Sequence, residues 1–150
     1  MKKVLIALDY NPNSEKVVNK GKELAQLMDA EICLFHVLAE VRYYGMQYEP
    51  FMGYEGYAFP VDFRIQEEFV KVAKDYLEKT AAHIGGNVTT HLAEGDTAKS
   101  ILEYAEEWNA DVIVMGTHSH GTLEKIFLGT VASSVLEKTK IPVYMVPTGQ

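Results

Sequence analysis

Two hydrophobic periods alternate along the chain. Lys3 to Asp9 is a short apolar run ending in an acid, which predicts a buried strand. Asn11-Pro12-Asn13-Ser14 is turn and cap chemistry. From about Ser14 to Met28 the positions Val17, Gly21, Leu24 and Met28 recur at steps of four, three and four, one face of a helix. Glu31 to Leu38 is a second apolar strand. Asp62 to Ile84 predicts a second helix, with Ile65, Phe69, Val72 and Tyr76 in register and Gly85-Gly86 as its stop. Asn87 to Ala93, rich in Val and Thr, reads as a third strand. Glu94-Gly95-Asp96 then caps a helix of about Thr97 to Asn109, with Ile101, Leu102, Ala105 and Trp108 facing inward. Asp111 to Gly116 is a fourth strand, Gly129 or Thr130 to Lys138 a fourth helix, and Pro142 to Pro147 a fifth strand.

Strand and helix therefore alternate without exception. That order requires a parallel sheet with helices on both faces, and right-handed crossovers restrict it to a single doubly wound α/β fold with five strands. With no internal repeat and no linker, residues 1–150 read as one domain. One interval is out of scale. Residues 39–61 separate the second strand from its helix, where two to six residues are usual. This insertion holds Tyr43, Tyr44, Tyr48, Phe51, Tyr54, Tyr57 and Phe59, unlike a polar disordered segment. Packing on the domain's own surface, self-association and covering a pocket all remain open for it.

Composition excludes more than it selects. The chain is 47% hydrophobic and 23% charged, as ordinary globular proteins are. Lys and Arg total 14 against 21 Asp and Glu, for a net charge of −7. That balance argues against DNA, RNA or an anionic membrane as partner, because such binding relies on clustered cations. It does not argue against a small anion in a pocket. The lone cysteine, Cys33, excludes an internal disulfide and a multi-cysteine metal cluster, and reads as a buried small apolar residue. Val4 to Leu8 is too short for a signal-peptide core, and no run approaches the ~20 apolar residues of a membrane span. The expectation is a cytoplasmic protein.

Ligands of open parallel sheets bind beyond the carboxyl ends of the strands, where strand order reverses. Asp9, Val37 and Leu38, Gly95 and Asp96, and the stretch from Gly116 to Thr130 lie at those ends. The last is the most informative: a glycine leaves a strand, a polar loop follows, and Gly129-Thr130 opens a helix whose free N–H groups form an anion site. The missing Cβ of Gly129 would admit a phosphate closely. No Walker loop and no dinucleotide G-x-G-x-x-G occurs.

Taken together, Val4-Leu5-Ile6-Ala7-Leu8-Asp9 with Ser14, Leu34-Phe35-His36-Val37, Glu94-Gly95-Asp96, Asp111-Val112-Ile113-Val114-Met115-Gly116 and Pro142-Val143-Tyr144-Met145-Val146-Pro147 resemble the universal stress proteins over essentially the whole chain. The resemblance implies strand order 3-2-1-4-5 and a homodimer built through the last strand. ATP-binding members carry G-x2-G-x9-G-[ST]; here Gly116 and Gly129-Thr130 match, and Ser119 stands where the second glycine belongs. The resemblance implies an ATP site, with Mg²⁺. Ala7 and Asp9 would lie at the nucleotide, Asp9 near the ribose or the metal. Val37 would turn its backbone to adenine. Met115, Gly116, His118 and Ser119 would line the ribose and phosphate side, and Gly129, Thr130 and Val131 would hold phosphates. A left-handed backbone at Ser119 would cost about 1–2 kcal/mol. Its hydroxyl, donating to a phosphate oxygen, would offset part of that.

Other readings of single residues are thinner. His118 and His120 lack a third ligand for a metal, and Ser119 beside them lacks the elbow of a hydrolase nucleophile. His36 inside an apolar strand reads as a hydrogen-bonded core histidine. Ser133 and Ser134 read as packing or surface residues, and Lys71 to Lys79 as a solvated helix face. Lys125 is the sole basic residue of the phosphate loop, short of the cationic clamp that phosphoryl transfer wants. The reading is thus a dimeric nucleotide-binding sensor or regulator of stress response. Its alternatives are a nucleotide-free interaction module working through the aromatic insertion, and a slow ATPase.

Overall fold

The computed structural model describes residues 1–9, 14–38, 55–117 and 128–148. Its strands are β1 (Lys2–Leu8), β2 (Ala30–Leu38), β3 (Val88–Glu94), β4 (Val112–Gly116) and β5 (Val143–Val146). Its helices are α1 (Ser14–Met28), α2 (Glu55–Ile84), α3 (Thr97–Glu107) and α4 (Thr130–Lys138). All five strands are parallel, in the order β3-β2-β1-β4-β5. The doubly wound α/β fold and its strand order are as expected.

Alternation along β1 divides the core in two. Val4, Ile6 and Leu8 face one layer, where Val17, Val18 and Ala25 of α1 and Leu77 and Ile84 of α2 pack. Leu5 faces the other with Cys33, Phe35, Val37, Ile113 and Met115, against Ala98, Ile101 and Ala105 of α3 and Ala132 and Val135 of α4. Both faces of β1 are thereby covered, which explains why its sequence is a continuous apolar run. Helix α1 lies unusually close to the sheet. A Cβ on Gly21 would sit 2.5 Å from Ile6 Cδ1 and 2.8 Å from its Cγ1.

Most element ends fall within two residues of expectation, and α2 is the exception. Its helical backbone begins at Glu55 rather than Asp62, so the end of the expected 39–61 insertion is helix, and residues 39–54 lie outside the described residues. Pro60 lies within this helix, where its missing N–H forfeits one bond to the carbonyl of Gly56. The inner face of α2 also differs. Phe69 and Val72 are each 46% exposed, whereas Ala73, Leu77 and Ile84 are buried and Tyr76 and Ala81 pack partly beneath. Two apolar stripes at helical spacing lie side by side here, and the sheet sits under the second. Gly85 stops the helix with φ +74°, its N–H donating to the Ala81 carbonyl at 3.0 Å.

The amino end of β1 is fastened by Asp111. The Lys3 N–H donates to its Oδ2 at 2.8 Å, the Asp111 N–H donates to the Lys3 carbonyl at 2.8 Å, and the Lys2 ammonium lies 3.4 Å from Oδ1. The Lys3 N–H above all, with the charge of Lys2, holds the Asp111 carboxyl below the usual carboxylate range against a smaller opposing desolvation.

Two outcomes are expected. A pKa depressed by folding contributes stability that is complete above the unfolded value near 4 and is lost as pH falls through the folded value. The stability gap between the native chain and Asp111→Asn, read by urea denaturation, should therefore be full above about pH 4 and close below it; a gap that widens in acid would contradict the hydrogen bond. Gly21→Val should destabilise by about 1–3 kcal/mol through overpacking against Ile6. An unchanged urea midpoint would show that α1 is free to withdraw.

Candidate functional site

The crossovers from β1 through α1 and from β3 through α3 run over opposite faces, so the strand order reverses between β1 and β4. Beyond the carboxyl ends of β1, β2 and β4, a cleft opens between the amino ends of α3 and α4. Ala7, Asp9, Val37, Met115, Gly116, Gly129 and Val131 line it. Seven of the residues expected from sequence thus meet in one place. Thr130 is exposed at the start of α4 and is not part of the lining. His118 and Ser119 lie outside the described residues.

Asp9 follows β1 on the side of the sheet that Leu5 and Ala7 share, toward α3 and α4. It is half-buried. Past the end of the ladder its backbone takes side-chain partners instead. The Ser14 hydroxyl donates to the Asp9 carbonyl, and the Tyr76 hydroxyl reaches the same oxygen at 3.3 Å. One residue earlier, His36 Nδ1 lies 2.7 Å from the Leu8 carbonyl. A carbonyl oxygen only accepts, so Nδ1 carries the proton. His36 is thus the hydrogen-bonded core histidine its position predicts.

Val37 is buried among the residues of the α3 and α4 layer. The Gly95 N–H donates to the Leu38 carbonyl at 3.1 Å, so Leu38 turns its backbone toward β3. By alternation Val37 turns its own toward the side of β1, whose pairing with β2 ends at Leu8 and His36. The backbone at Val37 therefore borders the cleft. Gly95 has φ +121°, a conformation that leaves a side chain little room, and it starts the tight turn into α3.

The glycines of the expected phosphate motif have different reasons to be glycine. A Cβ on Gly116 would lie 2.8 Å from Thr148 Cγ2 and 3.2 Å from Val17 Cγ2. Its absence lets the chain's last segment and α1 approach β4. The next residue ties three elements together. The Thr117 N–H donates to the Val146 carbonyl at 3.0 Å, its Oγ1 accepts from the Thr148 N–H at 3.0 Å, and its carbonyl accepts from the Gly129 N–H at 2.7 Å. Gly129 caps α4 in ordinary extended geometry, φ −60° and ψ 157°, so conformation does not require glycine there.

The two helix ends differ in charge. At α3 the Asp96 carboxylate accepts the Lys99 N–H at 2.9 Å, so that end carries its own anion. Gly129 offers α4 no side-chain cap, and the N–H groups of Thr130, Val131 and Ala132 precede the first residue able to bond within the helix, Ser133. The positive end of α4 is thus the stronger site for an anion. No cluster of three or more metal-ligating side chains occurs among the described residues. Asp9 suits a Mg²⁺ ion that takes one carboxylate and completes its shell with water and phosphate oxygens.

The cleft also includes Leu8, Phe35, Thr97, Thr117, Ile101 and Ala132, which were not singled out from sequence. Thr97 and Thr117 directly follow Asp96 and Gly116 and were readable by adjacency. Phe35, Ile101 and Ala132 look like core residues, and they are core residues that also form the floor. Cys33 is fully buried, and burial pushes its thiol pKa up, in keeping with a packing role.

The model of the universal stress protein family matches residues 1–147. Universal stress protein A homolog 2 of Coxiella burnetii is 32% identical over 148 residues, spanning 97% of this chain and 94% of its own. The solved structure of protein MJ0577 of Methanocaldococcus jannaschii superposes with a TM-score of 0.77 at 26% identity, over 97% of this chain and 95% of the other. A universal stress protein solved in complex with cAMP shares the fold, with a TM-score of 0.60 at 19% identity over 98% and 97% of the two chains.

Gly116→Ala should lower stability by about 1–3 kcal/mol, because its methyl group meets Thr148 and Val17. Removing the obstruction in Gly116→Ala with Thr148→Ser should recover part of that loss in urea denaturation. Equal stability of native and Gly116→Ala chains would contradict the packing account.

Proposed function

The chain belongs to the universal stress protein family, and we propose that it is a member that binds an adenine nucleotide, ATP with Mg²⁺, and works as a dimeric sensor or regulator in the cytoplasm. The observation that carries this reading is the cleft at the strand-order reversal, where Ala7, Asp9, Val37, Met115, Gly116, Gly129 and Val131 converge beside the uncapped amino end of α4.

In this reading the chain's own groups divide the ligand by chemistry. The Val37 backbone meets adenine, with Phe35, Met115 and Ile101 as apolar walls. Asp9 accepts from a ribose hydroxyl or holds the metal. Backbone N–H groups of Gly116, Thr130 and Val131 and the Thr130 hydroxyl take the phosphates. Mg²⁺ would supply the positive charge that the lining lacks: among the described residues no lysine or arginine lines the cleft. Phosphoryl transfer wants such a cationic clamp, so the reading is binding and not turnover.

A dimer through β5 is part of the proposal. β5 lies at the end of the sheet order, and Tyr144 on it is 40% exposed. A strand so placed offers a row of backbone groups to a second copy.

Protein purified quickly, denatured and passed over anion exchange should release an adenine nucleotide, and the stripped protein should bind Mg-ATP by calorimetry. Asp9→Ala should weaken that binding roughly 10-fold to 100-fold, the scale of a hydrogen bond to a charged group. Gly129→Val should abolish it at unchanged thermal stability, since the backbone there accepts any residue. Absence of both released nucleotide and binding heat would sink the reading.

A further inference from the structure

Asp9 is held from the face of the sheet opposite the cleft. The peptide plane before its Cα is fixed at the Leu8 carbonyl by His36 Nδ1–H, 2.7 Å away. The plane after it is fixed at the Asp9 carbonyl by two donors, the Ser14 hydroxyl and, at 3.3 Å, the Tyr76 hydroxyl. Two planes pinned on either side of one Cα leave its φ and ψ, and so the direction of its Cα–Cβ bond, little freedom. The donors come from three elements: α1, β2 and α2. The His36 and Tyr76 rings also meet edge to face, centroids 6.3 Å apart, so the donors brace one another. None of the three lines the cleft, and Ser14 and Tyr76 line a separate groove between α1 and α2.

We infer that Ser14, His36 and Tyr76 are positioning residues, which aim the Asp9 carboxylate at the ligand by pinning both peptide planes that flank it. The inference rests on the nucleotide reading for its consequence, though the pinning belongs to the protein alone. It makes affinity at the cleft depend on hydroxyl groups that touch no ligand. It also makes the α1 and α2 layer, on the far side of the sheet, a part of the site. β1 stops at Leu8, and beside its end these side chains hold both carbonyls.

Tyr76→Phe and Ser14→Ala each delete one hydroxyl. In nucleotide-free protein, the ¹⁵N order parameter of Asp9 should fall from the rigid value of about 0.85 toward 0.6 in the double variant, with Val4 unchanged. An unchanged value at Asp9 overturns the pinning. Mg-ATP calorimetry then tests the consequence. Tyr76→Phe should weaken binding roughly 3-fold to 10-fold in the native background and less than about twofold when Asp9→Asn has already removed the charge. Equal losses in both backgrounds would mean a general structural effect and overturn the positioning role. Failure of the native chain to bind any Mg-ATP refutes the nucleotide reading instead, and the order parameter alone then decides the pinning.

Discussion

A parallel strand in the middle of a sheet has ladder partners on both sides, and where it ends, its last carbonyls must find others. In this chain β1 is that strand, and most of the site follows from how it ends. The crossovers beside it leave over opposite faces, so among the described residues no helix covers the gap beyond Leu8 and a cleft forms there. At the same end an imidazole and two hydroxyls hold the Leu8 and Asp9 carbonyls. The opening of the cleft and the fixing of Asp9 at its edge meet at the end of one strand.

Close approach is the second organising fact. Gly21 lets α1 press onto Ile6, and Gly116 lets Thr148 and Val17 press onto the end of β4. Both glycines are spacers between layers. The consequence at the cleft is a knot at Thr117, which joins β5's end, the last described segment and the cap of α4 through three hydrogen bonds. The amino end of α4 is therefore set by the sheet, although the loop before it lies outside the described residues. Electrostatically, the uncapped amino end of α4 is positive although no lysine or arginine among the described residues lines the cleft, because peptide dipoles carry fixed partial charges. Asp96 neutralises α3 and leaves α4 as the positive end.

Much of this was legible from the residue order. Alternating periods and cap residues are local properties, and they located nine elements and assigned their types. The resemblance then supplied the strand order, and the strand-end rule pointed to Asp9, Val37, Gly116 and Gly129. Where local reasoning failed, two local answers were equally good. Phe69 with Val72 and Ala73 with Leu77 are both helical stripes, and only the position of the sheet decides between them.

The sequence by itself determined which segments are strands and helices, that the sheet is parallel, and which strand ends border the cleft, because each depends on spacing within a few residues. Tertiary structure alone decided which apolar stripe of α2 is inside and why Gly21 and Gly116 have no side chain. It alone brought Ser14, His36 and Tyr76 onto two adjacent carbonyls. Ser14 lies only five positions from Asp9, but His36 and Tyr76 lie 28 and 67 positions from the carbonyls they hold. No local pattern encodes such distances; the packing of one layer against another does.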